Sequence, residues 1–230
     1  MTMESERTSA GGTEYRFLRR MYSLLNSYFG DLHWWPGESP FEVIVGTILT
    51  QNTAWRNVEA AVGNLKRERL LCPERLLQTD DAVLSQLIRP SGYYALKTKR
   101  LKAFCRFLCE GYDGHLDRLF TEETWELRKR LLTVNGIGEE TADSILLYAG
   151  SKPVFVVDAY TRRILQRHGL IAADSSYASI QGLFMKHLPP KVPLYNQYHA
   201  LLVSTGKTFC RKSPRCDGCP LHGLIGGGTG

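Results

Sequence analysis

Apolar residues recur along this chain with a helical period. In "FLRRMYSLLNSYF" (17–29), Phe17, Leu18, Met21, Leu24, Leu25, Tyr28 and Phe29 share one broad face. "FEVIVGTILTQNTAWRNVEAAVGNLK" (41–66) carries the same pattern, interrupted at Thr50-Gln51-Asn52-Thr53. There the side-chain oxygen of Asn52 or Thr53 can cap a second helix. The spacing predicts further helices over 74–87, 95–111, 122–133, 140–149, 159–168, 176–187 and 194–205. One run, "PVFVV" (153–157), is strand-like, but it is too short and too alone to make a sheet. Pro36-Gly37, Pro90-Ser91-Gly92 and Pro189-Pro190 mark turns, and no long internal repeat is visible. The predicted fold class is all-α.

Composition narrows the setting. A hydrophobic fraction of 43% over 230 residues can build the core of one large domain or two lobes. A formal charge of +6 favours a polyanionic partner, although many proteins without one share it. No stretch reaches the roughly 18 apolar residues of a membrane span. The opening "MTMESERTSAGGTEYRF" has no apolar centre of a secretory signal, so 1–16 reads as a disordered tail. A soluble cytoplasmic protein is the expectation. Cys72, Cys105 and Cys109 lie among apolar residues and read as buried thiols, whereas Cys210, Cys216 and Cys219 crowd into "CRKSPRCDGC". In a reducing compartment such crowding points to a metal or an iron–sulfur centre before a disulfide.

Candidate chemistry starts at "VNGIGEETADSILLYAG" (134–150), two helical stretches joined by Gly136-Ile137-Gly138. Glycines there leave out the Cβ atoms that would hold a phosphate off the backbone. The first N–H groups of the next helix then act as donors carrying its partial positive charge. The same turn also serves as a plain interhelical connection with a glycine cap. Twenty residues after Gly138, Asp158 stands between an apolar run and a basic amphipathic helix, where it would be the N-cap. Position alone does not separate a capping aspartate from a catalytic one.

Taken together, "LLTVNGIGEETADSILLYAGSKPVFVVDAYTRR" resembles the helix-hairpin-helix, Gly/Pro-rich loop and aspartate signature of the endonuclease III superfamily of DNA glycosylases. The resemblance covers about 17–219 and includes "GTILTQNTAWRNV", "RPSGYYALKTKRL" and "GKTFCRKSPRCDGC". It implies two helical lobes with a DNA-binding cleft between them. A six-helix barrel module with the hairpin would span 38–152, and the second lobe would combine 17–37 with 153–230 and its C-terminal cysteine cluster. It implies that Gly136, Ile137, Gly138 and Thr141 grip DNA, that Gln51 stands near the gap left by a flipped base, and that Asp158 is catalytic. Lys97, Lys99, Arg100, Lys102, Arg162, Arg163 and Arg167 fit phosphate contacts or solvated helix faces.

Bifunctional members of that superfamily carry a lysine after the hairpin, which attacks the sugar and forms a Schiff base. Here the matching position is Glu140. A carboxylate forms no imine, so a monofunctional enzyme without AP-lyase activity is expected. Several segments, "HWWPGESPFE" and "GIGEETADSILLYA" among them, are also similar to bacterial 3-methyladenine DNA glycosylases of the endonuclease III branch. That likeness implies a methylated purine held between Trp35 and Trp55, with Trp34 beside them, since an electron-poor base stacks well on indole. Damaged double-stranded DNA would be the partner, and the enzyme a monomer at the nucleoid. The usual four-cysteine [4Fe–4S] pattern is broken: Cys210-x5-Cys216-x2-Cys219 is one residue short, and position 225 is isoleucine. Three readings stay open: a cluster with His222 or an outside ligand, a Cys3His zinc site, or a remnant that binds nothing. Two other functions also stand. One is an endonuclease III-like glycosylase and AP lyase for oxidised pyrimidines or mismatches; the other is a non-catalytic DNA-binding hairpin protein.

Overall fold

The computed structural model describes residues 4–34 and 37–224, with side chains from residue 12 onward. In chain order its helices are α1 (Glu4–Phe29), α2 (Pro40–Leu49), α3 (Trp55–Arg67), α4 (Pro73–Gln78), α5 (Asp81–Leu87), α6 (Tyr94–Tyr112), α7 (Leu116–Thr121), α8 (Thr124–Leu132), α9 (Glu139–Ser144), α10 (Ala159–Arg167), α11 (Tyr177–His187) and α12 (Val192–Thr208). A 3₁₀ turn, Arg89–Ser91, precedes α6, and a π-helical turn, Ile145–Ala149, prolongs α9. No strand occurs among the described residues, so the chain is all-α. It divides into two compact units: Trp35–Lys152, and a second assembled from Met1–Trp34 with Pro153–Gly230.

In the Trp35–Lys152 unit, α2 is buried from Phe41 to Leu49, as its almost continuous apolar sequence requires. Ser39 caps it by accepting the Glu42 N–H (3.2 Å), Pro40 occupies the first turn, and Glu42 reaches back to the Glu38 N–H (3.2 Å). Around α2 pack Val58, Ala61 and Leu65 of α3, Leu101, Phe104 and Leu108 of α6, and Ile145, Leu146 and Leu147 of the π turn. In the other unit Leu18, Met21 and Leu25 of α1 meet α11 and α12, and Phe155 stacks on Phe184 with ring centroids 3.8 Å apart. Tyr198 packs edge-on against both rings and donates to the Leu18 carbonyl (2.8 Å).

Several elements differ from the sequence expectation, each for a local reason. The helix expected over 74–87 is two, because Asp80 accepts the N–H groups of Ala82 (2.8 Å) and Val83 (3.2 Å) and starts α5 afresh. Glu123 does the same for α8, so the stretch expected over 122–133 begins after a separate α7. Neither Asn52 nor Thr53 caps α3: its N-cap is Ala54, with no side-chain bond, while Asn52 takes a left-handed turn (φ 54°) that asparagine tolerates. The strand-like 153–157 run is extended but has no partner strand. Its backbone is satisfied by side chains instead, Gln181 donating to the Phe155 carbonyl (2.8 Å) and the Val157 N–H to the Tyr177 hydroxyl (3.3 Å). The stretch read as a disordered tail is helical from Glu4, since extending a formed helix is far easier than nucleating one.

Lys97 is a core residue, not a phosphate contact. Its side chain is 1% exposed and its Nζ donates to the carbonyls of Leu49 (2.9 Å) and Ser91 (2.7 Å), tying the end of α2 to the 3₁₀ turn. Two acceptors need only the two N–H bonds of a neutral amine. Burial lowers the Lys97 pKa from 10.5 to about 8, with Arg100 adding a smaller push in the same direction. Between those two values the unfolded chain binds a proton that the folded chain does not, so stability rises with pH across the window. The expected result is that the urea midpoint of the parent climbs relative to that of Lys97→Met from about pH 8 to about pH 10. Parallel midpoints across this range would show that Lys97 is not buried as described.

Candidate active site

The hairpin runs from α8 through 133–138 into α9. Val134 and Ile137 are buried and anchor it, and the Ile137 N–H donates to the Val134 carbonyl (3.0 Å). Both the side chain and the N–H of Ile137 are therefore engaged inside the protein. The two glycines differ. Gly136 is left-handed (φ 88°), and a Cβ there would lie 2.3 Å from Arg100 Cγ, so its space belongs to an arginine side chain. At Gly138, the N-cap of α9, an added Cβ would meet nothing within 4 Å, and no side chain caps the helix. Gly138 thus offers the open approach to amides expected of both.

Gln51 is joined to this turn. Its Nε2 donates to the Gly136 carbonyl (3.1 Å) and to Thr141 Oγ1 (2.9 Å), while its Oε1 accepts from the Arg100 guanidinium. Thr141 is buried in that contact. Glu139 and Glu140 are exposed in the first turn of α9. Arg128 holds the fully buried Asp143 through two bonds (2.6 and 3.1 Å) and reaches Glu139 at 3.4 Å, which pins α9 to α8.

Asp158 caps α10, its Oδ1 accepting the Thr161 N–H (2.7 Å), directly after the buried run Val154–Val157. Its Oδ2 lies 3.7 Å from Nε2 of His199, a buried residue of α12. His199 escaped the sequence reading, where it is a lone histidine in "QYHALLV". Asp158 belongs to one unit, and Gln51, Gly136, Ile137, Gly138 and Thr141 to the other.

Residues 45–190 match the model of the HhH-GPD superfamily base excision DNA repair proteins. The chain belongs to that superfamily. It is 47% identical over 209 residues to a proposed DNA repair glycosylase of Methanocaldococcus jannaschii, covering 90% of this chain and 95% of that one. Endonuclease III of Thermotoga maritima is 30% identical over 79% of this chain and 80% of its own length. Among solved structures, H. pylori 3-methyladenine DNA glycosylase bound to 1,N6-ethenoadenine superposes with a TM-score of 0.70 at 28% identity, covering 84% of this chain and 97% of that one. A trapped endonuclease III–DNA covalent intermediate shares the fold, with a TM-score of 0.78 at 24% identity over 91% and 94% of the two chains. The protein is accordingly a DNA glycosylase of base excision repair.

Within this HhH-GPD chain the tryptophans are split. Trp55 opens α3, donates to Glu59 Oε1 (2.8 Å) and lines a cavity of about 200 Å³ with Glu42, Gly46 and Lys66. Trp34 belongs to the other unit, beneath the Lys207 ammonium (5.6 Å to the ring centroid), on an open cavity of about 650 Å³. Trp35 lies outside the described residues. Among the exposed aromatics that the sequence does not single out is Tyr93, left-handed (φ 47°) and 69% exposed just before α6. Its signal was the Ser91-Gly92 turn in front of it. Of the basic residues singled out as phosphate contacts, Lys99 is exposed. Lys102 pairs with Asp81, and Arg162 donates to the Ser175 carbonyl.

The cysteine loop is held by arginines of α10. Arg167 donates to the carbonyls of Arg211 (2.6 Å) and Lys212 (2.8 Å) and to Cys210 Sγ (3.3 Å), and Arg163 to the Cys210 carbonyl (2.6 Å). Cys210, Cys216, Cys219 and His222 border one cavity of about 290 Å³. Cys216 is exposed, and burial pushes the Cys219 thiol above its ordinary range. Among the described residues no three His, Cys, Asp or Glu side chains gather to hold a metal. The three cysteines are one thiolate short of the four that usually ligate a [4Fe–4S] cluster. In Arg167→Ala, amide hydrogen exchange in 211–219 should accelerate about tenfold or more, while Cys216→Ser/Cys219→Ser should leave it within about twofold. The reverse pattern would mean that the sulfurs organise the loop.

Proposed function

We propose that this chain is a monofunctional DNA glycosylase that hydrolyses the N-glycosidic bond of an alkylated purine, 3-methyladenine or a close relative, in damaged double-stranded DNA. It works as a monomer in the cytoplasm, at the nucleoid. The observation that carries the reading is Glu140. A primary amine must attack C1′ to form the Schiff base of a glycosylase with lyase activity, and a carboxylate on the first turn of α9 has no such chemistry. Lys152, the nearest lysine after the hairpin, donates to the Glu122 carbonyl (2.7 Å).

The reacting group is then Asp158. As the base leaves, positive charge grows on the deoxyribose, and a carboxylate already fixed by the α10 amide needs no reorganisation to stabilise it. The same carboxylate orients the attacking water and takes its proton. An alkylated purine is cationic and departs readily, so little more is needed, and Trp55, with Trp35, supplies the indole faces for it. Support for the substrate comes from the H. pylori 3-methyladenine enzyme, whose structure holds 1,N6-ethenoadenine. Gly138 and the first amides of α9 receive the DNA phosphate.

On methylated duplex DNA the protein should release free 3-methyladenine, and borohydride should trap no covalent complex. Asp158→Asn should lower single-turnover release by about 100-fold or more with DNA affinity within about threefold. A borohydride-trapped complex on thymine-glycol DNA, without alkylpurine release, would instead establish the endonuclease III-like lyase. Tight DNA binding with no base release on either substrate would establish the non-catalytic module.

A further inference from the structure

The two oxygens of Asp158 have different surroundings. Oδ1 is fixed by the Thr161 N–H at 2.7 Å, a bond that caps α10. Oδ2 lies 3.7 Å from His199 Nε2, with the aspartate side chain 11% and the imidazole 6% exposed. The distance is beyond a direct hydrogen bond but within electrostatic reach of two largely buried groups.

The packing that sets this distance is specific. At Gly206 of α12 an added Cβ would fall 2.3 Å from a ring carbon of Tyr160, two residues after Asp158, so only glycine lets α10 lie so close. Arg163, whose guanidinium also lies 5.1 Å over the Tyr160 ring, donates to the carbonyls of Gly206 (3.4 Å) and Cys210 (2.6 Å). On the core side of α12, Tyr195 and Tyr198 are wholly buried, so the helix that carries His199 has no freedom to rotate.

We propose that His199 is a positioning residue for the Asp158 carboxylate, facing Oδ2 from α12 and fixing the rotamer in which that oxygen meets the sugar and the attacking water. The proposal rests on Asp158 being the catalytic carboxylate. With its proton on Nε2, a neutral imidazole turns an N–H dipole toward Oδ2 and favours the anion without cancelling its charge. Burial is the main influence on His199 and holds its pKa below the ordinary 6.5; Asp158 pulls it upward and Lys207, also on α12, pushes it down. Burial thus favours the neutral ring, whereas a charged imidazolium would compete with the deoxyribose cation for the same oxygen.

The test compares the parent with Asp158→Asn, His199→Leu, His199→Gln and the double variant Asp158→Asn/His199→Leu. All are assayed for single-turnover base release from methylated duplex DNA and for DNA affinity. His199→Leu should release base about tenfold more slowly with affinity within about twofold, and His199→Gln, which keeps a donor, should recover most of the loss. The double variant should be no slower than Asp158→Asn by more than about twofold, because His199 acts through Asp158. Independently of any substrate, the NMR titration of His199 should move to lower pH in Asp158→Asn, since the carboxylate favours the imidazolium.

A slow Asp158→Asn beside a parent-like His199→Leu would overturn the positioning role alone. So would a His199→Gln as slow as His199→Leu with both melting early, which marks a packing residue. An Asp158→Asn as fast as the parent would overturn the catalytic reading beneath it. If the parent releases no base, the titration decides: an unmoved His199 curve rejects the pairing, and a shifted one upholds it.

Discussion

A primary amide has two N–H donors and one carbonyl oxygen, and at Gln51 all of this capacity is taken up by the hairpin and its support. Nε2 bridges the Gly136 carbonyl and Thr141 Oγ1, and Oε1 accepts from Arg100. Arg100 in turn fills the space that Gly136 leaves by having no Cβ. The loop between α2 and α3, the middle of α6 and the hairpin turn are thus fixed by one half-buried polar group. Each element would otherwise present a carbonyl, a hydroxyl or a guanidinium with nothing to meet, and leaving such a group unsatisfied costs about 1–3 kcal/mol. Lys97 applies the same logic one turn away on α6, closing the end of α2 onto the 3₁₀ turn. What sequence spacing marks as a basic, DNA-directed face is, at Lys97 and Arg100, the internal bracing of the unit.

Asp158 follows from a different constraint. The run Val154–Val157 must be buried, yet its backbone cannot be paired by a strand, so Gln181 and Tyr177 reach in to satisfy it. The chain emerges extended, and the first residue free to start a helix is Asp158. A capping aspartate spends one oxygen on the helix and keeps the other. A cap that engages one oxygen leaves the other for a second role, which is why position alone does not choose between capping and catalysis.

How much could be read from the sequence follows from the same physics. The all-α class, the hairpin and the Asp158 cap are local signals, carried by helical periodicity, Gly-x-Gly and an acid between an apolar run and a basic one. The breaks at Asp80 and Glu123 are local too, but an acid inside an apolar period reads first as a solvated face. His199 was invisible because its partner is 41 residues earlier, and nothing near "QYHALLV" marks it. The cysteine loop is the opposite case: its spacing is plain in the sequence, while the arginines that hold it lie on α10, more than forty residues upstream.

The acids after the hairpin carry the last step. Glu139, Glu140 and Asp143 put three acids directly after the Gly-x-Gly turn. Asp143 is wholly buried and held by two bonds from Arg128, so its charge is answered inside the protein. The same guanidinium reaches Glu139, and the partial positive charge of the α9 N-terminus favours a carboxylate at Glu140 in its first turn. A lysine at 140 would add a cation and a nucleophile together, and an exposed acid on this turn supplies neither. At Gly138 an added Cβ would meet nothing and no side chain caps α9, so the backbone amides that open the helix are uncovered there. Under the function proposed above, binding through these amides leaves the chemistry at the sugar to Asp158, and a single carboxylate suffices when the leaving base already carries a positive charge.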